Sequence, residues 1–553
     1  MSFRPEGPLD ARIMVISDAP DFDRKGVPRP FGQNPGELLG RMLAEAGIAV
    51  SSCFVTSAVR ERPPGNKIEL WAPPTKKGQT ELAGSENGVE CQGRIVHRYI
   101  KEGYEKLQEE IALVQPRLIV ALGNTALWAL TGLVSVSKWR GSTLTVPSLP
   151  GVTIVPTLHP ASVLRQWSTR PIVVQDLRRA AQAATIPPVK PAWRFAIRPS
   201  LQQVRETMAN LEATLDAATA PLVLSTDIET RAQHITCLGI AWSKLDAICI
   251  PFLSVDRPDG YWSQDDEAEI VYLLYRVLTH RNALVIGQNF IYDTQYILRH
   301  WGFVPRFGRD TMVAFHVCFP GMPKSLDHIA SMTNEWYVYW KDDGKEWDKG
   351  ADQDEDRYWT YNCEDCVRTY EADEVLQTVV DKMGLRGPHD FQQKLFYPVL
   401  RTMVRGVRID KARQTAMRAR LNHHAKECIQ AIEQMVGWPL NPKSPKQMQK
   451  FFYEELGLPV QKKRGSIGPS CDDAALDTFR AKVPYLRPLV DAIKEFRSCE
   501  TVAANALKAG AIGHDGRVHC SYNITGTTTF RFSSSTDAFG SGYNLQNITA
   551  GDE

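Results

Sequence analysis

The chain contains no run of 18 apolar residues and no amino-terminal signal pattern, so neither a helical membrane span nor secretion is supported. It has almost no net charge, +2 from 65 basic and 63 acidic side chains, which means that any binding to nucleic acid has to come from local patches rather than a global field. A disulfide framework is missing too. The eleven cysteines are scattered through 553 residues, the usage expected of reduced thiols. The Cys-x-x-Cys at Cys363 and Cys366 has no second pair and does not describe a zinc site. No internal repeat is evident. These absences, with a length sufficient for three or four domains, lead to the expectation of a multidomain cytoplasmic protein with no membrane partner.

What is present is a set of carboxylates in revealing positions. The run from Pro221 to Glu229 reads as a strand, and residues i and i+2 of a strand point the same way, so Asp227 and Glu229 face one pocket. Asn289 and Asp293, like Tyr361 and Asp365, are four residues apart, a spacing that puts each pair on one face of a helix. Hard oxygen ligands in that number suit Mg2+ or Mn2+. Two such ions about 3.5–4 Å apart can stabilise both the attacking and the leaving oxygen of a phosphodiester displacement. Tyr361 can orient the attacking water.

The three segments Thr226-Asp227-Ile228-Glu229-Thr230, Gly287-Gln288-Asn289-Phe290-Ile291-Tyr292-Asp293 and Tyr361-Asn362-Cys363-Glu364-Asp365 stand in the order of the three motifs of the proofreading 3'-5' exonuclease family, which this part of the chain resembles. The resemblance covers residues 221–382. It implies a ribonuclease-H-like α/β fold, two Mg2+ or Mn2+ ions held by Asp227, Glu229, Asp293 and Asp365, and Tyr361 as the fifth catalytic residue, with Asn289 toward the DNA strand.

Residues 11–180 alternate short apolar runs (Arg12–Ser17, Phe54–Val59, Leu118–Leu122, Val152–Pro156) with helical patterns, which argues a doubly wound parallel sheet. Ligands of such sheets bind beyond the carboxyl ends of the strands. Asp18, the Arg62-Pro63-Pro64-Gly65-Asn66 loop, Gly123 and His159 fall at those ends. This region resembles the uracil-DNA glycosylase superfamily, nearest its bacterial family 4, through Ser17-Asp18-Ala19-Pro20, Pro30-Phe31-Gly32, the Val55–Asn66 loop, Ala121-Leu122-Gly123 and Thr157-Leu158-His159 to Arg165. By match, Phe31 stacks a flipped uracil, His159 donates to it, and Asp18 and Asn66 complete the pocket. The family's opening Glu is Asp18 here and its following Gly is Asp21. Glu61 stands at one of the four cluster cysteines, so no iron-sulfur cluster is expected.

The carboxyl-terminal part resembles family A DNA polymerases, the class of bacterial DNA polymerase I. The resemblance is carried by Arg405 to Asp410, Leu440 to Gln447, Leu456 to Pro459, Thr529-Phe530-Arg531-Phe532-Ser533-Ser534 and Asn544-Leu545-Gln546-Asn547-Ile548, with Phe530 where Gly is usual. It implies a mainly helical thumb, the start of a palm, and primer contacts by Arg531, Asn544, Gln546 and Asn547, whose donors reach minor-groove acceptors common to all base pairs. From Arg401 to Arg420 seven basic residues face one acid, and Lys443, Lys446, Lys450, Lys462, Lys463 and Arg464 follow, patches suited to DNA phosphates.

The expected layout is a glycosylase-like domain over 1–183, a Pro-rich linker over 184–220, the exonuclease over 221–382, and polymerase thumb with incomplete palm over 383–553. The palm acids and fingers helix of the family follow the Asn544–Ile548 motif and are not in this sequence. We therefore expect either a truncated sequence or one half of a split polymerase whose palm and fingers are a second polypeptide, and the domain order is that of replicative polymerases of some large bacteriophages, in a host cytoplasm. The partners expected are a single-stranded DNA 3' end and a primer-template duplex. A uracil-repair glycosylase-nuclease and a non-catalytic DNA-binding subunit are the alternatives.

Overall fold

The structure, a computed structural model, describes residues 3–23, 25–73, 75–257, 260–344, 354–463, 468–505 and 512–547, without the side chains of residues 66 and 505. Arg464, Ile548, the Asn66 side chain and residues 345–353 fall outside the described residues. The chain divides into two units, Met1–Gln393 and Lys394–Glu553.

In the first unit β1 (Ile13–Ser17), β2 (Cys53–Ser57), β3 (Leu118–Leu122) and β4 (Thr153–Thr157) form a wholly parallel sheet in the order β2-β1-β3-β4. Successive strand residues go to opposite faces. Met14, Ile16, Ile119, Ala121 and Ile154 pack under helices α2 (Arg98–Val114) and α3 (Asn124–Thr131), while Val15, Leu118, Val120 and Val155 pack under α1 (Gln33–Glu45) and α4 (Arg170–Thr185). Burial on both faces explains why these strands read as unbroken apolar runs rather than alternating ones. The doubly wound sheet expected from the sequence is present.

A second, mixed sheet is built from β5 (Arg194–Ala196), β6 (Leu222–Arg231), β7 (His234–Ala241), β8 (Asp246–Pro251), β9 (Ala283–Gly287) and β10 (Phe307–Asp310), in the order β10-β9-β6-β7-β8-β5. β6–β7 and β7–β8 are antiparallel, whereas β9 and β10 add in parallel beside β6. Around it lie α5 (Leu201–Ala217), α6 (Ile291–Trp301), α7 (Leu326–Thr333) and the 28-residue α8 (Glu355–Lys382). α8 crosses β6, β7 and β8 and buries Tyr358, Trp359, Cys363, Cys366 and Val367 against Cys237, Ala241 and Cys249. The segment expected as a linker, 184–220, is in fact partly ordered into this lobe: β5 extends the sheet beside β8, and α5 begins with a reciprocal Ser200–Gln203 cap. A cap of that kind satisfies two amides that a helix start would leave bare. Residues 383–393 also belong to the first unit.

The second unit is mainly helical. α9 (Lys411–Val436), α10 (Asp473–Lys482) and α11 (Arg487–Asn505) pack together around Ile432, Phe452, Leu476, Phe479, Val490 and Ile493. Two short pairings, Val407–Arg408 with Arg517–Val518 and Ser521–Asn523 with Ser533–Ser535, carry the chain to its last described residues.

Candidate active site

β6 alternates as its sequence requires. Ile228 points into the core, and Asp227 and Glu229 emerge together on the other side. Tyr361 and Asp365 sit one turn apart on α8. Because α8 lies over β6, carboxylate oxygens of Asp227, Glu229 and Asp365 all fall within 4.8 Å of one another. Asn362 pins the first of them, donating Nδ2 to Asp227 Oδ2 at 3.1 Å and to the Asp227 carbonyl at 3.2 Å. Trp340 donates its indole N–H to Asp365 Oδ1 at 2.6 Å. Lys341 pairs with the other Asp365 oxygen and donates to the Tyr361 hydroxyl at 2.9 Å.

Burial, and then the charge of Asp365, push the Asp227 carboxyl up to about 7. Burial and both neighbouring carboxylates push Glu229 well above the ordinary range. Burial works against the Lys341 ammonium, but Asp365 and Asp227 more than offset it and leave its pKa raised. Three crowded carboxylates, Asp365 buried and Asp227 and Glu229 half-buried, gain by sharing a cation, and their hard oxygens fit Mg2+ or Mn2+ rather than a soft metal.

Two expected members stand elsewhere. Asp293, in the first turn of α6, is buried, but its Oδ1 accepts the Ile228 N–H at 2.9 Å, and it is not in the group of three. It braces the strand between the two β6 acids. Asn289 is not on the helix with Asp293: it precedes α6 in a left-handed conformation, φ 56°, with its N–H donated to Asp310 Oδ1 at 3.1 Å. Asn tolerates that region better than most residues, and once it adopts it the four-residue helical spacing no longer applies. Asp310, Trp340, Lys341 and Asn362 were missed by sequence reasoning. Only Asn362 carried a signal, being inside the third motif.

At the carboxyl ends of the first sheet, Phe31 and His159 lie with ring centroids 5.5 Å apart. His159 Nδ1 accepts the Ala161 N–H at 3.2 Å, and burial pushes its pKa down to about 4, so the ring is neutral at pH 7. Asp18 is turned inward. Its Oδ1 accepts the N–H groups of Thr125 at 2.6 Å and Ala126 at 3.1 Å, at the start of α3. That is a helix cap, and Gly123 (φ 105°) must lack a side chain because a Cβ there would lie 2.1 Å from Asp18 Oδ2.

In the second unit all seven basic residues between Arg401 and Arg420 are exposed. Lys446 is exposed, whereas Lys443 is paired with Glu500 at 2.8 Å. Arg531, Gln546 and Asn547 are exposed; Asn544 is held, its Oδ1 accepting the Gln546 N–H at 3.0 Å, and Gln546 Nε2 donates to the Phe532 carbonyl at 2.8 Å. Phe530 has φ 61°, the left-handed region glycine enters freely. This unit also gathers His424, Cys428 and Glu495, with His424 Nε2 and Glu495 at 2.8 Å.

Residues 4–182 match the uracil DNA glycosylase superfamily and residues 411–553 match DNA polymerase family A. Over 179 residues the chain is 31% identical to the type-4 uracil-DNA glycosylase of Thermotoga maritima, covering 32% of this chain and 79% of that protein. It is 26% identical over 364 residues to DNA polymerase I of Synechocystis, covering 63% of this chain and 36% of that protein. A solved polymerase domain of Pol1 from M. smegmatis, in complex with DNA primer-template and dNTP, overlaps with a TM-score of 0.48 at 18% identity, over 65% of this chain and 56% of that one, too loosely to define the fold. Through its amino-terminal layers the chain belongs to the uracil-DNA glycosylase superfamily, and it carries a family A polymerase segment homologous to DNA polymerase I. It spans 36% of the length of the Synechocystis relative.

Proposed function

We propose that the chain is the proofreading and primer-holding part of a family A DNA replication protein, and that its second sheet with α8 is a ribonuclease-H-like 3'-5' exonuclease. The observation that carries this reading is the convergence of Asp227, Glu229 and Asp365 from a strand and a helix, with Tyr361 one turn away. The likeness to DNA polymerase I supports it, since the 364 aligned residues far exceed the family A match and must extend upstream of residue 411. Asp227, Glu229 and Asp365 would hold Mg2+ or Mn2+, which supplies positive charge to the scissile phosphate and acidity to the attacking water. The Tyr361 hydroxyl orients that water, Asn362 fixes Asp227, and Asp293 fixes the strand. The exposed arginines and lysines of the second unit hold duplex DNA through phosphates, and the exposed Arg531, Gln546 and Asn547 donate to minor-groove acceptors.

A single-stranded oligonucleotide labelled at its 5' end tests the reading. The chain with Mg2+ or Mn2+ should shorten it nucleotide by nucleotide from the 3' end and stop when chelator is added. An intact strand, or loss of the label first, would overturn it.

The superfamily membership favours a second reading, excision of uracil, and here we expect weak activity or none. Asp18 is spent on capping α3 and is one methylene shorter than the family Glu, and small misplacements cost on the order of a hundredfold in rate. The domain should still bind DNA. A uracil-containing oligonucleotide treated with alkali reads abasic sites directly. Brisk cleavage that disappears in His159→Ala would contradict the expectation.

A further inference from the structure

Within the second unit α9 and α11 lie side by side in opposite directions. Ile432 shares an apolar cluster with Val490 and Ile493, and nearer the start of α9, Ala425 and Cys428 share one with Phe496 and Cys499. At the edge of that second cluster three different donor atoms meet. His424 and Cys428 are four residues apart on α9 and so share a face, and Glu495 reaches them from α11. One imidazole nitrogen, one sulfur and one carboxylate oxygen all lie within 4.8 Å of one another. His424 Nε2 stands 2.8 Å from Glu495 Oε1 and 4.0 Å from Cys428 Sγ. The other ring nitrogen is engaged as well: Nδ1 lies 3.1 Å from Glu427, which also meets His423 at 3.4 Å. A carboxylate on Nδ1 keeps a proton there and leaves Nε2 as the acceptor, the arrangement that commonly backs a metal-bound histidine. Cys428 is buried and Glu495 exposed, so the thiol closes the inner side of the group and water reaches the outer one.

We propose that His424, Cys428 and Glu495 form a Zn2+ site, with water as the fourth ligand, that fastens α9 to α11. A sulfur and an imidazole beside one carboxylate select Zn2+ against the harder Mg2+. A tetrahedral zinc ion with bonds of about 2.0–2.3 Å puts its ligand atoms about 3.3–3.8 Å apart. Widening the His424–Glu495 pair and narrowing the His424–Cys428 pair by about half an ångström or less therefore admits it. Two ligands from one helix and one from the other make the ion a cross-link, placed where the helices otherwise meet through the small patch of Ala425, Cys428, Phe496 and Cys499. α9 also carries the exposed Lys411, Arg413, Arg418 and Arg420, so the cross-link steadies a basic helix. The site belongs to the second unit alone and does not depend on the chemistry of Asp227, Glu229 and Asp365.

Co2+ serves as a visible probe for Zn2+. Titrated into the full chain with a non-thiol reductant, it should give a thiolate-to-Co2+ charge-transfer band that reaches its plateau at one ion per chain and is bleached by added Zn2+. Cys428→Ser should abolish the band. His424→Ala and Glu495→Ala should weaken binding by at least about a hundredfold, and Glu427→Gln by about tenfold, the scale of a partner that only orients a ligand. Hydrogen exchange reads the cross-link itself: free Zn2+ at about a hundred times its Kd should slow opening of α9 and α11 by up to about a hundredfold in the wild type. Cys428→Ser should show no such slowing while matching the wild type's metal-free exchange, which establishes that it is folded. No thiolate band in the wild type, a band that survives in Cys428→Ser, or full-strength binding by His424→Ala and Glu495→Ala would overturn the proposal. A Co2+ signal that only the Asp227→Ala/Glu229→Ala double variant removes would place the metal at the other unit's carboxylates and overturn it too.

Discussion

Changing Asp227 and Glu229 together to Ala is expected to lower 3'-end digestion by at least about a thousandfold, the scale of losing the charge that stabilises a developing transition state. The two supply two of the three gathered carboxylates, so the remaining Asp365, already paired with Lys341, cannot hold the ion alone. The same variant should be more stable than the wild type without metal. A buried acid whose folded pKa is raised, as Asp227 is to about 7 from an ordinary 3.8, favours folding fully only below its unfolded value, and that advantage is lost as pH rises through the folded one. Wild-type stability should therefore fall between about pH 4 and 7 by on the order of a few kcal/mol, and the double variant should lack that component. Activity and stability then move in opposite directions, as expected of a site that crowds like charges. Undiminished digestion by the double variant would remove the carboxylates from the chemistry.

The second large effect is structural. Arg140→Ala should destabilise the first unit by about 3–5 kcal/mol, because it leaves a buried carboxylate without its partner. Asp176 is wholly buried, and its remaining contacts include the Thr157 hydroxyl at 2.6 Å. Arg140 also reaches Ser331, so the loss should be felt where the glycosylase-like layers meet the helices around the second sheet. Urea unfolding reads it as a lower midpoint. Replacing both partners, Arg140→Met with Asp176→Leu, should recover much of the loss, since a buried ion pair is often no better than apolar groups of similar volume. A shift within about 0.5 kcal/mol for Arg140→Ala, the size of an ordinary surface change, would show that the pair does not hold these layers together.

The parts of the molecule readable from sequence are those set by local periodicity. The four strands of the parallel sheet stand out as apolar runs because both faces are covered, Asp227 and Glu229 share a face because a strand alternates, and Tyr361 and Asp365 share one because both lie well inside a long helix. Local pattern failed where the backbone leaves ordinary conformations. Asn289 is left-handed, which breaks its spacing to Asp293, and the β6–β7 turn is made by Ala232 and Gln233 at φ 48° and 67°, residues that do not announce such a turn. β5 is only three residues long and gains its place by pairing with β8, so a Pro-rich stretch could not reveal it. The roles of Asp18, Trp340 and Lys341 depend on partners more than 20 residues away, Thr125 for the first and Asp365 for the others. Side-chain identity shows that such residues can bond; it does not show where tertiary structure will put them.

Anomalous diffraction from crystals of the wild-type chain soaked in Mn2+ tests the nuclease reading most directly, because it locates the ion without relying on turnover. The expected result is a peak within coordination distance of Asp227, Glu229 and Asp365. A chain that takes up Mn2+ only elsewhere, for instance at His424, Cys428 and Glu495, with nothing between those three carboxylates, would contradict it.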